Sequence, residues 1–279
     1  MTRARARAAG SWLAVAAVLG ASSSPAADAP PSVDEEFGLG AAALAAEKPE
    51  EAIGRFEALA DRGVVDAAAS FDRGLAYASR FRKSPRPGDL GRAIQGFEEA
   101  RSLTADPARE RAASAAIVLL RSEVARRRAA AGDAPYVQPG PPAVRLVLRS
   151  LPEDAWTVLA ALSSLALTAG LFVRWRASGR VRLGGAGVAA SAGGLLAITA
   201  LAAWAARDER LTLTEGVTVA ENVRATDEGH APIASEAPIA EGTRLEILAT
   251  RDGWTEVQLP SRRAWITSAA IVPLVRPAR

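Results

Sequence analysis

Two apolar stretches in close succession constrain this chain more than any other feature. Ala155–Val173 and Leu183–Ala206 contain no charged side chain, and a short arginine-bearing segment, RWRASGRVR, separates them. An α-helix needs about 20 apolar residues to cross the hydrocarbon core of a bilayer. A soluble core can hide one such helix, but two in tandem with a basic turn are hard to bury that way. The pattern predicts a membrane-spanning hairpin with helices over 155–175 and 183–206 and a turn over 176–182.

The charges around the hairpin predict its orientation. Arg174, Arg176, Arg180 and Arg182 cluster at the turn with no acidic residue among them. Outside the hairpin the signs are mixed: Arg145 and Arg149 face Glu153 and Asp154, and Arg207 and Arg210 bracket Asp208 and Glu209. Short loops rich in Lys and Arg stay on the cytoplasmic side. These four arginines are therefore the topology-determining residues. They predict a two-pass protein with the turn on the cytoplasmic side and both flanking segments extracytoplasmic. Trp156, Trp175 and Trp204 fall near helix ends, where indoles favour the headgroup region. Ala186, Ala190 and Gly194, with Ala166 and Gly170, predict a face of small residues along which the two helices pack.

Residues 1–26 have the form of a secretory signal: Arg3, Arg5 and Arg7, an apolar run Trp12–Ala21, then Ser24 and Ala26 at cleavage spacing. An uncleaved anchor is the alternative, and either form exports the adjoining segment. The 279 residues thus divide into small units around the hairpin. No cysteine is present, which excludes disulfides and thiolate chemistry. The net charge of +3 arises mostly at the amino terminus and the turn, so no nucleic-acid-binding field is expected.

Residues 34–132 are rich in Ala, Arg, Glu and Leu at helical spacing. Leu39 and Gly40, then Ala52, Phe56 and Leu59, are echoed by Gly74 and Tyr77, then Ala93, Phe97 and Ala100. Small residues at these places let paired helices touch, while the aromatic fills the gap to the next pair. The stretch resembles the tetratricopeptide repeat, with Ala43 where an aromatic is expected and extra residues around Lys83–Pro87 predicted to lengthen a turn. A last helix, Ala108–Arg128, would close the stack through Ile117, Leu120 and Val124. An unrelated alanine-rich helical bundle fits the same pattern. Residues 133–154 form a Pro-rich linker and juxtamembrane segment, with a short amphipathic helix over Val144–Leu151.

Residues 211–275 change character. Short alternating runs, LTLTEGVTV, TRLEILAT, TEVQL and RAWIT, are punctuated by Glu241-Gly242, Asp252-Gly253 and Pro260-Ser261, which predicts a small all-β barrel. Asn222-Val223-Arg224, Gly242–Leu248, Gly253-Trp254 with Val257, and Ala264-Trp265-Ile266 resemble the strands of a bacterial SH3 domain, with Ala264 in place of the usual glycine. The fold class expected for the whole is a multidomain membrane protein: an all-α repeat domain, a two-helix transmembrane hairpin and a small SH3-like barrel.

Catalytic equipment is sparse. His230 is the one histidine and lies in the polar loop DEGHAPIA. Glu50-Glu51 and Glu98-Glu99 are expected on solvent faces of repeat helices. The glycines of LGGAGVAASAGG open an apolar helix and not a βαβ phosphate loop. No enzyme activity, cofactor or metal is expected.

The order of signal, repeats, hairpin and SH3-like barrel resembles the BatE family of bacterial aerotolerance operon proteins. The resemblance implies partners of the von Willebrand type and a MoxR-type ATPase system, in envelope stress tolerance. It leaves two functional readings. The first is a scaffold or adaptor for protein–protein interaction, its repeat groove lined by Leu39, Ala43, Arg73 and Tyr77 and taking a segment of a membrane partner. The second is a cell-wall sensor that binds peptidoglycan through Trp254, Trp265 and the loop Thr226–Glu236. For those tryptophans, burial in the barrel core is the competing expectation.

Overall fold

A computed structural model describes residues 31–275 apart from 134, 136, 137, 139, 141, 142 and 149; the side chains of 143, 144, 210 and 211 are also outside the description. The signal over 1–26 and Arg149 therefore lie outside the described residues. Among those described there are eight α-helices and one five-stranded antiparallel sheet.

The chain begins with α1 (Val33–Ala45), α2 (Pro49–Asp61), α3 (Ala67–Lys83) and α4 (Asp89–Leu103), and each packs on the next. Local chemistry sets the boundaries. Pro49 starts α2, where its missing N–H costs nothing, and the Asp66 carboxylate caps α3 by accepting from the N–H groups of Ala68 and Ala69. The expected core positions Ala52, Phe56, Leu59, Ala93, Phe97 and Ala100 are all buried. Close approach depends on two glycines. A Cβ on Gly40 would lie 3.0 Å from the Phe56 ring, and one on Gly74 would lie 3.2 Å from the Phe97 ring. The same small-against-aromatic contact thus recurs in both helix pairs. The extra residues of the second pair go mainly into helix, since α3 has 17 residues against 13 in α1. Arg80 on that added turn pairs with Asp89, and the Lys83 ammonium donates to the Glu47 carbonyl and carboxylate. These contacts reward helix over loop.

The next helix, α5 (Pro107–Ala131), is capped by Asp106 and ended by Gly132 in the left-handed region. It buries Ile117 and Val124 against α4. A short helix, α6 (Ala143–Leu148), precedes two long ones, α7 (Glu153–Arg176) and α8 (Gly179–Thr212). Both are long and apolar enough to cross a membrane, and only 11% and 17% of their most apolar stretches are buried. A core helix would be buried along most of its length. The link between them is only 177–178: Arg174 and Arg176 sit in the last turn of α7, and Arg180 and Arg182 in the first turn of α8. Arginine is a good helix former, so the helices run past their apolar portions.

The packing face of the hairpin keeps Gly170 of the expected residues, with Ala186 half-buried, and otherwise differs. Gly170, Ser163, Gly185, Ala189, Ala192 and Thr199 are buried, whereas Ala166, Ala190 and Gly194 are exposed. A Cβ on Gly170 would meet the Ala189 backbone nitrogen at 2.7 Å. Small residues recur four apart in more than one row of α8. Backbone approach at Gly170 and Gly185 selects the row.

The sheet comprises β1 (Thr214–Thr218), β2 (Arg244–Arg251), β3 (Trp254–Gln258), β4 (Arg263–Thr267) and β5 (Ile271–Pro273), in the order β4-β3-β2-β1-β5. Asp252 and Gly253, both with positive φ, make the two-residue turn between β2 and β3 that an Asp-Gly pair favours. Leu211 and Thr212, expected in a strand, complete α8 instead, so only Leu213 separates that helix from β1. Asn222–Arg224 is not a strand; Val223 makes one bridge to Ile239. Ala264 is not at a turn: it lies within β4, opposite Val257 and buried.

From Val33 onward the chain forms one compact unit. One hydrophobic cluster joins Leu90, Ile94 and Phe97 of α4 to Val217 of β1 and Ala240. A Cβ on Gly91 would meet the Thr218 carbonyl oxygen at 2.7 Å, and one on Gly242 would meet Ile94 at 2.2 Å. Arg128 of α5 donates to the Asn222 side chain at 2.8 Å and to the Pro238 carbonyl at 3.1 Å. Helices and sheet therefore share a core and make a single head on the long helix pair.

Candidate functional site

Strand alternation builds an aromatic face on the sheet. In β3, Thr255 and Val257 point inward; in β4, Ala264 and Ile266 do so. Trp254 and Trp265 fall on the opposite face, half-buried and outside the core cluster. The core expectation for them is thus corrected: period-two geometry sends them out once the smaller β-formers fill the interior.

The loop after β1 comes back over these rings. Thr226 exchanges two backbone hydrogen bonds with Trp265, each 2.8 Å. One oxygen of Asp227 accepts from the N–H groups of Gly229 and Ala231, both at 2.9 Å, which tightens the tip. His230, at φ 61°, projects from that tip. Its ring stacks on Trp254 with centroids 4.1 Å apart and an interplanar angle of 11°, and meets Trp265 edge-on at 6.1 Å. In register on the same sheet, Glu256 lies opposite Trp265 and Arg251 opposite Trp254. Flat π-surfaces beside charged groups can stack a sugar ring, a peptide plane or a cation while hydrogen-bonding its substituents.

The helical candidates have a different fate. Leu39 is exposed, but Ala43, Arg73 and Tyr77 are buried in the stack. Ala43 belongs to the core cluster of α1–α4. Arg73 is ion-paired with Glu99, which also accepts from Ser70 at 3.3 Å and from Gln95 at 2.6 Å. The Tyr77 hydroxyl donates to Glu57 at 2.7 Å, with the Arg80 and Arg92 guanidinium groups against its ring. Burial, reinforced by the Glu57 charge, pushes the Tyr77 hydroxyl well above its ordinary range. Three of these four side chains hold the helices together, and Leu39 alone is exposed.

Sequence reasoning placed Glu98 and Glu99 in solvent; they are 1% and 3% exposed. Glu98 gathers Arg101 of its own helix, Arg121 of α5 at 2.9 Å and Arg244 of β2 at 3.3 Å. Glu241, which reads as a turn residue, is also buried. Its carboxylate accepts from the Gly91 N–H at 3.1 Å, and burial pushes its pKa up to about 7. These partners stand up to 150 residues apart, so no local signal announces them. Comparison with known proteins returns no matching family, no matching curated protein and no matching solved structure.

Proposed function

We propose that this protein is a membrane-anchored adaptor of the BatE type, whose head takes hold of a partner through the aromatic face at Trp254, His230 and Trp265. In this reading the hairpin spans a bacterial cytoplasmic membrane with its four arginines inside and the head outside. The helices are tetratricopeptide-like and the sheet SH3-like. The recurring contacts of Gly40 with Phe56 and Gly74 with Phe97 support the former, and the five short strands with their Asp-Gly turn support the latter. The observation that carries the proposal is the pair of half-buried tryptophans bridged by a stacked histidine on the outer side of the sheet. Burial of Ala43, Arg73 and Tyr77 moves the contact away from the repeat groove.

Two partners suit such a face. One is a membrane protein, of the von Willebrand or MoxR-associated type that the family resemblance implies. The other is peptidoglycan, favoured by the flat stacking surface beside Arg251 and Glu256. The test uses the full chain in detergent, because the sheet shares its core with α4. Wild type and the double variant Trp254→Ala, Trp265→Ala are compared for retention on isolated cell wall and for co-purified membrane proteins. Loss of wall retention in the variant supports the wall reading, and loss of a co-purified protein supports the adaptor. An unchanged result in both assays refutes the aromatic face as the binding surface.

A further inference from the structure

A cleft of about 590 Å³ opens at the junction of α4, α5, α6 and the β1–β2 ribbon. That volume lies in the range of small-ligand sites. Glu98 forms its buried wall and is the shared partner of Arg101, Arg121 and Arg244, while Glu215 takes a second bond from Arg244. Three guanidinium groups thus meet two carboxylates, leaving an excess of one positive charge in this cluster. The side chains of the three arginines remain 21–33% exposed, whereas Glu98 is 1% exposed. With Arg145 a fourth arginine and Glu215 and Glu246 further carboxylates in the lining, the cleft is cationic by one charge. The Nε–H groups of Arg121 and Arg244 are buried without an acceptor, so the protein does not use all the donors of these two guanidinium groups.

We propose that this cleft binds a phosphate group, held by the outward edges of Arg101, Arg121 and Arg244. The arginines arrive from three different elements. Donors converging from three directions suit a tetrahedral oxyanion better than a planar carboxylate, which one guanidinium satisfies in a plane. The phosphate has two sources. Arg145 also lines the cleft and pairs with Glu246 and with Glu209, which lies on α8 just past the apolar run that ends at Ala206. A lipid headgroup at the end of that span lies within reach, and so does a soluble phosphate ester. The lipid source rests on the hairpin crossing a bilayer; phosphate binding itself does not.

The experiment titrates inorganic phosphate into the full chain in neutral detergent by calorimetry, then repeats it in nanodiscs of phosphatidylcholine with and without phosphatidylglycerol. Wild type binds saturably and more weakly as salt rises. Arg101→Gln weakens binding about tenfold, the loss of one charge-assisted hydrogen bond. Glu215→Gln strengthens it by releasing Arg244, an effect that a purely structural ion-pair network would not produce. Circular dichroism verifies that both variants fold. Competition by phosphatidylglycerol assigns the site to a lipid headgroup, and undiminished phosphate binding in both nanodiscs assigns it to a soluble ester. No saturable binding, or equal affinity in wild type, Arg101→Gln and Glu215→Gln, overturns the proposal. A chain recovered in the soluble fraction that still binds phosphate removes only the membrane reading.

Discussion

Replacing Glu241 with glutamine isolates the electrostatic cost of joining the sheet to the helices. The residue precedes β2 and caps α4, whose N-cap position, Gly88, carries no side chain to do so. Burial is the main influence on its carboxyl group and raises its pKa. The Gly91 N–H opposes that rise, Glu221 adds to it, Arg127 opposes it and Asp89 adds to it. The outcome is a pKa raised from 4.5 to about 7. An acid whose pKa is raised on folding holds its proton more tightly when folded. Its contribution to stability is complete below pH 4.5 and is lost as pH climbs to about 7. That interval of ~2.5 pH units, at about 1.4 kcal/mol each, amounts to about 3.5 kcal/mol. Glutamine keeps an acceptor for Gly91 and removes the charge. Glu241→Gln should therefore melt close to wild type at pH 4.5 and up to about 7–14 °C above it at pH 8, taking about 2–4 °C per kcal/mol. Thermal unfolding of both proteins in one detergent, from pH 4.5 to 8, measures the gap. A gap that is flat with pH, or a variant less stable than wild type at pH 8, refutes the reasoning. The latter would mean that the helix N-terminus and Arg127 outweigh desolvation.

Other substitutions probe the remaining contacts. Gly91→Val drives a side chain into the Thr218 carbonyl and Val219 backbone, which have no rotamer to yield; it should cost about 3 kcal/mol and remove hydrogen-exchange protection from β1. Arg73→Met leaves Glu99 buried without its cation and should cost about 3–5 kcal/mol in unfolding free energy. Gly170→Leu should separate α7 from α8, read as lost cross-linking between cysteines introduced into the two helices of this otherwise cysteine-free chain. A reporter fused at Ser178 should be active only in the cytoplasm; activity outside the cell refutes the proposed orientation.

The amino-acid order alone determined what depends on near neighbours. Unbroken apolar runs identified the long helix pair, helical spacing identified the buried faces of α2 and α4, and Asp252-Gly253 identified a hairpin turn. These features arise within a turn of helix or a pair of strands, where backbone geometry leaves few choices. Tertiary structure decided everything that required two distant segments to meet. It set Gly185 and Ala189 of α8, among many small residues there, against Gly170, because those backbones are the ones that meet. It turned Glu98 and Glu241 from surface residues into buried ones, because their partners come from across the head. The two tryptophans faced outward for the same reason: the sheet's interior was already filled by Val223, Leu245, Val257 and Ile266, leaving the indoles to the opposite face. Burial is a property of the assembled packing, and a residue's own neighbours in the chain do not contain it.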